Sequence, residues 1–515
     1  MTNNTIRSFD IFDTAIFRDV FLPTDIFKLV EEKVGKDFYN KRIQAEKLAR
    51  EEKSHYTIKD IYKHLPEFYL NDEVQTEIEH CFANKKMLEL YEPENTVFIS
   101  DMYLPSGILK KILENAGYKN PKVFVSCELK ACKSDGKLFK KVEKKTSKRI
   151  SVHYGDNYVA DIEGARKAGI KRTVFNPALH NKNLNIPKVK NTFLKKYLAL
   201  VEDESESNAV FKLAMYYLPV IYEFTRWVLS ERSEGQKIFF LSRDMYMPYL
   251  IAKNIFRAKD IYYLHVSRRS LAGICLKSKN KELKRKMSFI FSKDEMQQKK
   301  IQDDSEVLKY LNKFNIKDND IIADIGYAGT IQAGIDYALK VKTQGLYLQV
   351  SSKVLSGLKT KMFLNRMAIH FCLMVEFVFG SDEDSVEGYR NGKPVFVPDN
   401  KERKELARKI TDIILEVAQI FHDSEFIATQ KIDVYDLEQI LIHEQYYPSE
   451  ELIKIYNKKI FTNRARKESI IGFDKREIKN GNLRIAYMCS YCQPLFKELL
   501  SRDKELKHLC KLLGE

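Results

Sequence analysis

Apolar and polar positions fall into blocks along this chain, and the blocks form two series. In the first, runs of strand length at Thr96–Ser100, Lys122–Ser126, Ser151–Tyr154 and Arg172–Phe175 are apolar. Stretches with apolar residues at helical spacing separate them, from Ser106 to Ala116, after Ser134 and up to Ala168. A further apolar run, Ser8-Phe9-Asp10-Ile11-Phe12, lies near the N-terminus and leads into an aspartate. Strands alternating with helices predict a parallel sheet with helices on both faces. Ligands of such sheets sit at the carboxyl ends of the strands, where Asp10, Ser100 and Asp156 fall. Between the first two of these strands lie about 80 residues with helical period, through Ile26-Phe27-Lys28-Leu29-Val30, Ala45-Glu46-Lys47-Leu48-Ala49 and Tyr56 to Tyr62.

Asn176 to Lys196 is polar, contains Pro177 and Pro187, and reads as a linker. Val210 to Leu229 is the most apolar long segment, but Lys212, Pro219, Glu223 and Arg226 make it a buried or amphipathic helix, not a span. The second series follows, with strands at Lys237–Leu241, Ile261–Val266, Asp320–Ile325 and Gly345–Val350. Three of these end in polar groups: Ser242-Arg243-Asp244, Ser267-Arg268-Arg269, and Asp324 followed by the loop Gly326-Tyr327-Ala328-Gly329-Thr330, which opens a helix. Asn391-Gly392 marks a hairpin. From Lys401 the pattern is helical, with Ala407, Ile410, Ile413, Ile414 and Val417 on one face. The chain therefore divides into residues 1–185, with a helical insertion at about 19–95, a linker at 186–205, a second α/β domain at 206–398 and a helical region at 399–515.

At 515 residues, two or three domains are expected. The formal charge of +16 is spread among acidic residues, without a basic tail or zinc-finger spacing, which argues against nucleic acid. Phosphorylated substrates or an anionic membrane surface fit that charge. Lys458, Lys459, Arg464, Arg466 and Lys467 read as a solvated face, with docking to a lipid-linked acceptor at the membrane as the minority reading. The eight cysteines are scattered, and Cys489-Ser490-Tyr491-Cys492 lacks a second pair, so a reduced, cytoplasmic protein is expected. The first apolar run is broken by Asp10 and Asp13 and is no signal peptide, and no transmembrane segment is expected.

The chemistry starts at Asp10. A carboxylate at the exit of a buried strand is costly unless it meets a cation or donors, although an Asp capping the next helix would be the ordinary explanation. Three partners follow in order: Ser100 at the end of Val97-Phe98-Ile99, Lys133 before Ser134-Asp135-Gly136, and the pair Asp156 and Asp161 in His153-Tyr154-Gly155-Asp156 and beyond. Together these resemble the four signature motifs of the haloacid dehalogenase superfamily, most of whose members are magnesium-dependent phosphatases. The resemblance implies a Rossmann-like parallel sheet with an inserted helical cap that closes over the nucleophile. It implies that Asp10 accepts a phosphoryl group as an acyl phosphate. Asp10, the Phe12 carbonyl and Asp156 would bind Mg2+, with Asp161 supporting or supplementing them. Ser100 and Lys133 would hold the phosphoryl oxygens. One position departs from the pattern: Phe12 stands where family phosphatases carry a second aspartate, and Asp13 lies one residue further on. An aromatic there also occurs in dehalogenases, but the paired Asp156 and Asp161 favour a metal-dependent phosphatase. Which group protonates the leaving oxygen is open, with Asp13 a candidate.

In the second half, the Gly326–Thr330 loop can offer backbone N–H groups to a phosphate, and arginine forks match phosphate oxygens. The loop resembles the phosphoribosyl-pyrophosphate loop of type I phosphoribosyltransferases, with Asp324 in place of the usual two adjacent acids. The two halves together resemble two-domain proteins of bacterial capsule and O-antigen clusters, some implicated in building ribofuranose into polysaccharide. That resemblance implies that Asp324 holds the ribose hydroxyls and that Gly326, Tyr327, Ala328, Gly329 and Thr330 hold the 5-phosphate. Arg243, Asp244 and Arg268 or Arg269 would hold the pyrophosphate with Mg2+. The expected activity is transfer of a 5-phosphoribosyl group to a glycan acceptor, followed by removal of the 5-phosphate. The alternatives are a sugar-phosphate phosphatase with a non-catalytic C-terminal module, and an inactive scaffold suggested by Phe12.

Overall fold

The structure, a computed structural model, describes residues 4–35, 37–203, 209–288, 291, 293–301, 304–350, 354–365, 372–424, 432–446, 450–458, 461–463 and 466–468. The chain forms two compact units, Met1–Ile186 with Lys190–Asp203, and Pro187–Val189 with Glu204–Glu515. Each is built on a five-stranded, wholly parallel sheet, so the chain is an α/β protein.

In the first unit the strand order is Val123–Val125, Thr96–Ser100, Thr5–Phe9, Arg149–Gly155, Thr173–Phe175. The central strand is buried because Ile6 and Phe9 point to opposite faces and each meets a separate apolar layer. Phe9 packs edge-on against Phe98 and Tyr154. Ile6 joins Leu138, Phe139 and Val142 of the Lys137–Thr146 helix. The chain leaves Thr5–Phe9 toward one side and later returns on the other. The strand order therefore reverses between Thr5–Phe9 and Arg149–Gly155, which opens a crevice at their carboxyl ends.

Residues 19–95 hold the helices Asp25–Val34, Phe38–Glu52 and Leu70–Glu79, with shorter turns between them. They are braced by Arg42, which is fully buried and gives Glu73 a two-pronged ion pair at 2.7 and 2.9 Å. The stretch read as a linker differs from expectation. Thr192–Asp203 is a helix of the first unit that buries Leu194, Leu198, Ala199 and Val201. The Asn and Lys residues upstream of it obscured that apolar period.

In the second unit the order is Lys359–Met362, Gln344–Tyr347, Ile321–Asp324, Ile238–Leu241, Ile261–Leu264. The reversal again lies at the centre, between Ile238–Leu241 and Ile321–Asp324. Ala209–Ser230 is a buried helix of this unit. Among the described residues no helix is long and apolar enough to cross a membrane. Asn391 and Gly392, both at positive φ, turn the Ser385–Arg390 and Lys393–Val397 hairpin. Lys401–Asp423 is a helix with Ala407, Ile410 and Ile414 buried. Of the basic positions, Lys458 pairs with Glu402, whereas Lys459 and Arg464 lie outside the described residues, as do Cys489 and Cys492.

Candidate active site

The crevice of the first unit is a cavity of about 390 Å³ whose floor carries Asp10, Ser100, Lys133, Asp156 and Asp161. Asp10 follows the central strand, and its N–H donates to the Tyr154 carbonyl at 2.9 Å, which ties the nucleophile candidate to the neighbouring strand. Oxygens of Asp10, Asp156 and Asp161 lie within 4.8 Å of one another. Lys133, buried between them, bonds Asp10 and Asp161, the latter at 2.6 Å. Its position is set from below, because the Lys133 N–H donates to both oxygens of Asp101 at 3.0 Å. Gly164 leaves the room that this loop needs: a Cβ there would stand 2.0 Å from the Lys133 carbonyl oxygen.

Asp161 is held on three sides. Its Oδ1 accepts from Lys133 and from His153 Nε2 at 3.0 Å, and its Oδ2 accepts from the Asn157 N–H at 2.9 Å. His153 is fully buried, and that burial keeps its ring neutral. The single ring proton therefore goes to Asp161, and Nδ1 accepts from the Ser8 hydroxyl at 2.8 Å. His153 stands in the same stretch as Asp156, but nothing in the spacing gives it this task. Asp161 thereby acts as the anchor of Lys133.

The charges do not balance. Burial raises Asp10 well above the usual carboxylate range, against the attraction of Lys133, and Asp161 and Asp156 push it the same way. Burial opposes ionisation of Asp161, but Lys133 and His153 overcome it and hold that carboxyl low. Burial, then the charge of Asp161, pushes Asp156 up to about 7. Burial disfavours the Lys133 ammonium, but Asp10 and Asp161 outweigh that and keep it charged. One ammonium faces three carboxyls that disfavour one another's ionisation, and these clustered oxygens could hold a metal ion.

The wall is supplied by Pro23, Thr24, Phe27, Glu46 and Glu77 from residues 19–95. Asp13 lines the cavity in a left-handed conformation, φ 55°. Phe12 also lines it, with the Arg18 guanidinium 3.9 Å from its ring centre, and Arg18 in turn pairs with Glu77 at 2.7 Å. Arg18 and His180, both at the cavity, were not singled out from the sequence. His180 lies inside the polar stretch read as a linker, whose composition carries no signal of a site.

In the second unit, Asp324 ends the central strand and is buried. Burial raises it well above the usual range, and the charge of Asp244 adds to this. Asp244 is raised by burial against the charges of Arg243, Arg268 and Arg403. Glu376, on the Cys372–Phe379 helix, is pushed up to about 8 by burial and by Asp244. Asp244, Asp324, Arg243 and Arg268 thus share one electrostatic cluster, joined by Glu376 and Arg403, which periodicity alone did not mark. Arg269 is not part of it: its guanidinium turns to Glu295 at 3.5 Å and stands 5.2 Å from the Phe291 ring. Successive residues at a helix start point in different directions, so only Arg268 can follow the sheet edge.

The Gly326–Thr330 loop is closely fitted. Gly326 has φ 135°, and a Cβ on it would lie 2.2 Å from the Gln349 carbonyl oxygen. The Gly326–Tyr327 peptide is cis. The Ala328 carbonyl accepts from the Leu355 N–H at 3.1 Å, and Gly329, φ 67°, precedes the Thr330–Leu339 helix. Compared with protein-family models and with curated proteins, the chain matches none.

Proposed function

We propose that the first unit is a Mg2+-dependent phosphatase of the haloacid dehalogenase type and that the second is a phosphoribosyltransferase-like domain. The two act in sequence: a 5-phosphoribosyl group is transferred to a glycan acceptor, and its 5-phosphate is then removed to leave ribofuranose. Convergence of Asp10, Asp156 and Asp161 around Lys133, in a cavity at the reversal point of a parallel sheet, carries the first part of this reading. Asp10 and Asp156, with the Phe12 carbonyl, would hold Mg2+, which when bound neutralises charge between carboxylate and phosphate.

Asp10 is the nucleophile, and its central-strand anchor keeps it facing the cavity. Lys133, fixed by Asp101, Asp161 and Asp10, sets a positive charge where phosphoryl oxygens gain charge in the transition state. Ser100, buried at the neighbouring strand end, offers a hydroxyl to the same oxygens. The helices of residues 19–95 line the cavity from the side a cap would take.

For the second unit, support comes from the shared cluster of Asp324, Asp244, Arg243 and Arg268 beside the Gly326–Thr330 loop. Displacement at an anomeric carbon needs mainly positioning and a stabilised leaving group, which buried acids and arginine forks supply. Phosphate release from ribose 5-phosphate with Mg2+ tests the first unit. Activity is expected in the unaltered chain, with a loss of about 1,000-fold or more in Asp10→Asn, in which the nucleophile is gone. Acceptor-dependent pyrophosphate release from phosphoribosyl pyrophosphate tests the second. It is expected to vanish in Asp324→Ala and to survive in Asp10→Asn. No phosphate release from the unaltered chain would refute the phosphatase, and pyrophosphate release unchanged in Asp324→Ala would refute the transferase assignment.

A further inference from the structure

A phosphate monoester of an alcohol leaves as a poor alkoxide unless a proton reaches its oxygen. The position that would supply that proton in a phosphatase of this type is Phe12, whose ring has none to give and is covered by Arg18. Four other proton-bearing groups around the cavity are engaged, while the carboxyls of Asp13 and Asp156 also line it. Lys133 is committed to Asp10 and Asp161. Glu77 is paired with Arg18, and Glu46 with Arg42 and Arg50. Tyr103 is stacked on Tyr56, and burial holds its phenol proton tightly.

His180 is different. It stands in the short turn Leu179–Asn181, half-buried, and lines the cavity together with Asp10, Asp13 and Asp156. Among the described residues no hydrogen-bond partner holds its ring. The Thr192–Asp203 helix packs against this turn, so the imidazole is backed by ordered structure. We propose that His180 is the general acid and base of the phosphatase, taking the part that Phe12 cannot play; this rests on the phosphatase reading of the first unit.

The steps balance as follows. A carboxylate oxygen of Asp10 bonds to phosphorus as the ester P–O bond breaks, and the electron pair leaves on the alcohol oxygen. The His180 imidazolium gives that oxygen its N–H proton, releasing the alcohol. The neutral imidazole then takes a proton from water as the water oxygen bonds to phosphorus and the Asp10–phosphorus bond breaks. Phosphate, the Asp10 carboxylate and the imidazolium result. Burial lowers the affinity of the ring for its proton, the negative charge of Asp13 raises it, and Lys196 and Arg18 lower it. The charge of Asp13 thus favours the imidazolium, while the two cations favour release of its proton.

His180→Gln tests this with two substrates that differ in their need for a proton. Nitrophenolate leaves without one, and the ribose 5-phosphate oxygen does not. With Mg2+ present, the variant should lose about 100-fold or more in kcat/KM on ribose 5-phosphate and less than about threefold on p-nitrophenyl phosphate. Retained kcat/KM on nitrophenyl phosphate also shows that the variant is folded, while kcat should fall on both substrates because the same ring serves as base when the acyl phosphate is hydrolysed. Equal losses of kcat/KM on both substrates, or no loss on either, would overturn the assignment of His180 while leaving the phosphatase standing. If the unaltered chain hydrolyses neither, the phosphatase reading fails first and this inference with it.

Discussion

Asp156 decides how the first site responds to pH. Its carboxyl is pushed up to about 7 by burial and by Asp161, and Asp10 is pushed in the same direction. A folded-state pKa above the unfolded one means stability that is full in acid and is lost as pH rises through the folded value. Without metal, the protein therefore gives up stability between the ordinary carboxylate range and about pH 7 as Asp156 ionises beside Asp161. Asp161 does not change charge there, since Lys133 and His153 hold it ionised. A divalent cation held at this site would bind the ionised form of Asp156 and so release a proton below that pH. The gain in melting temperature on adding Mg2+ should accordingly grow from pH 6 to pH 8, and Asp156→Asn should flatten the trend. A gain that is constant with pH would show that Asp156 takes no part in holding the ion.

At the scale of elements, close approach of backbone matters as much as charge. Gly164 begins the Gly164–Ala168 helix, and a Cβ there would meet the Lys133 carbonyl at 2.0 Å and Ser134 Cα at 3.2 Å. Backbone cannot swing aside as a long side chain can, so Gly164→Ala should destabilise the fold by about 1–3 kcal/mol. It should also displace Lys133 from Asp10, so phosphate release should fall together with the melting temperature. An unchanged melting curve would contradict this packing. The strands at Thr96–Ser100 and Ile321–Asp324 were legible because each is a continuous apolar run ending in a polar group. The Asn391-Gly392 turn was legible because both residues accept positive φ. The Lys359–Met362 edge strand was not, since three of its four residues are polar and it pairs on one side only. Nor was the Thr192–Asp203 helix, whose apolar positions follow a run of Asn, Pro and Lys. In the first site, Asp10, Ser100, Lys133 and Asp156 stood out because each follows a strand or opens a loop. His153, Arg18 and His180 did not, because their roles depend on what the fold places opposite them.

Over the whole molecule, one plan appears twice. Each unit sets its acidic groups at the point where a parallel sheet reverses its strand order, Asp10 with Asp156 in one and Asp324 with Asp244 in the other. In the first unit the acids surround a single lysine in an open cavity. In the second they are matched with several arginines, a balance suited to a polyanion that brings its own cation. On the proposed reading, a transferase that attaches a 5-phosphoribosyl group with loss of pyrophosphate and a phosphatase that removes its 5-phosphate gain from sharing a chain, because hydrolysis draws the reversible transfer forward. All of this depends on Asp10 receiving a phosphoryl group. The most direct measurement is to quench the protein in acid during turnover of isotopically labelled p-nitrophenyl phosphate with Mg2+ and to locate the label by peptide mapping. The account predicts an acyl phosphate on Asp10, labile to hydroxylamine and absent from Asp10→Asn. Label on another residue, or turnover undiminished in Asp10→Asn, would contradict it.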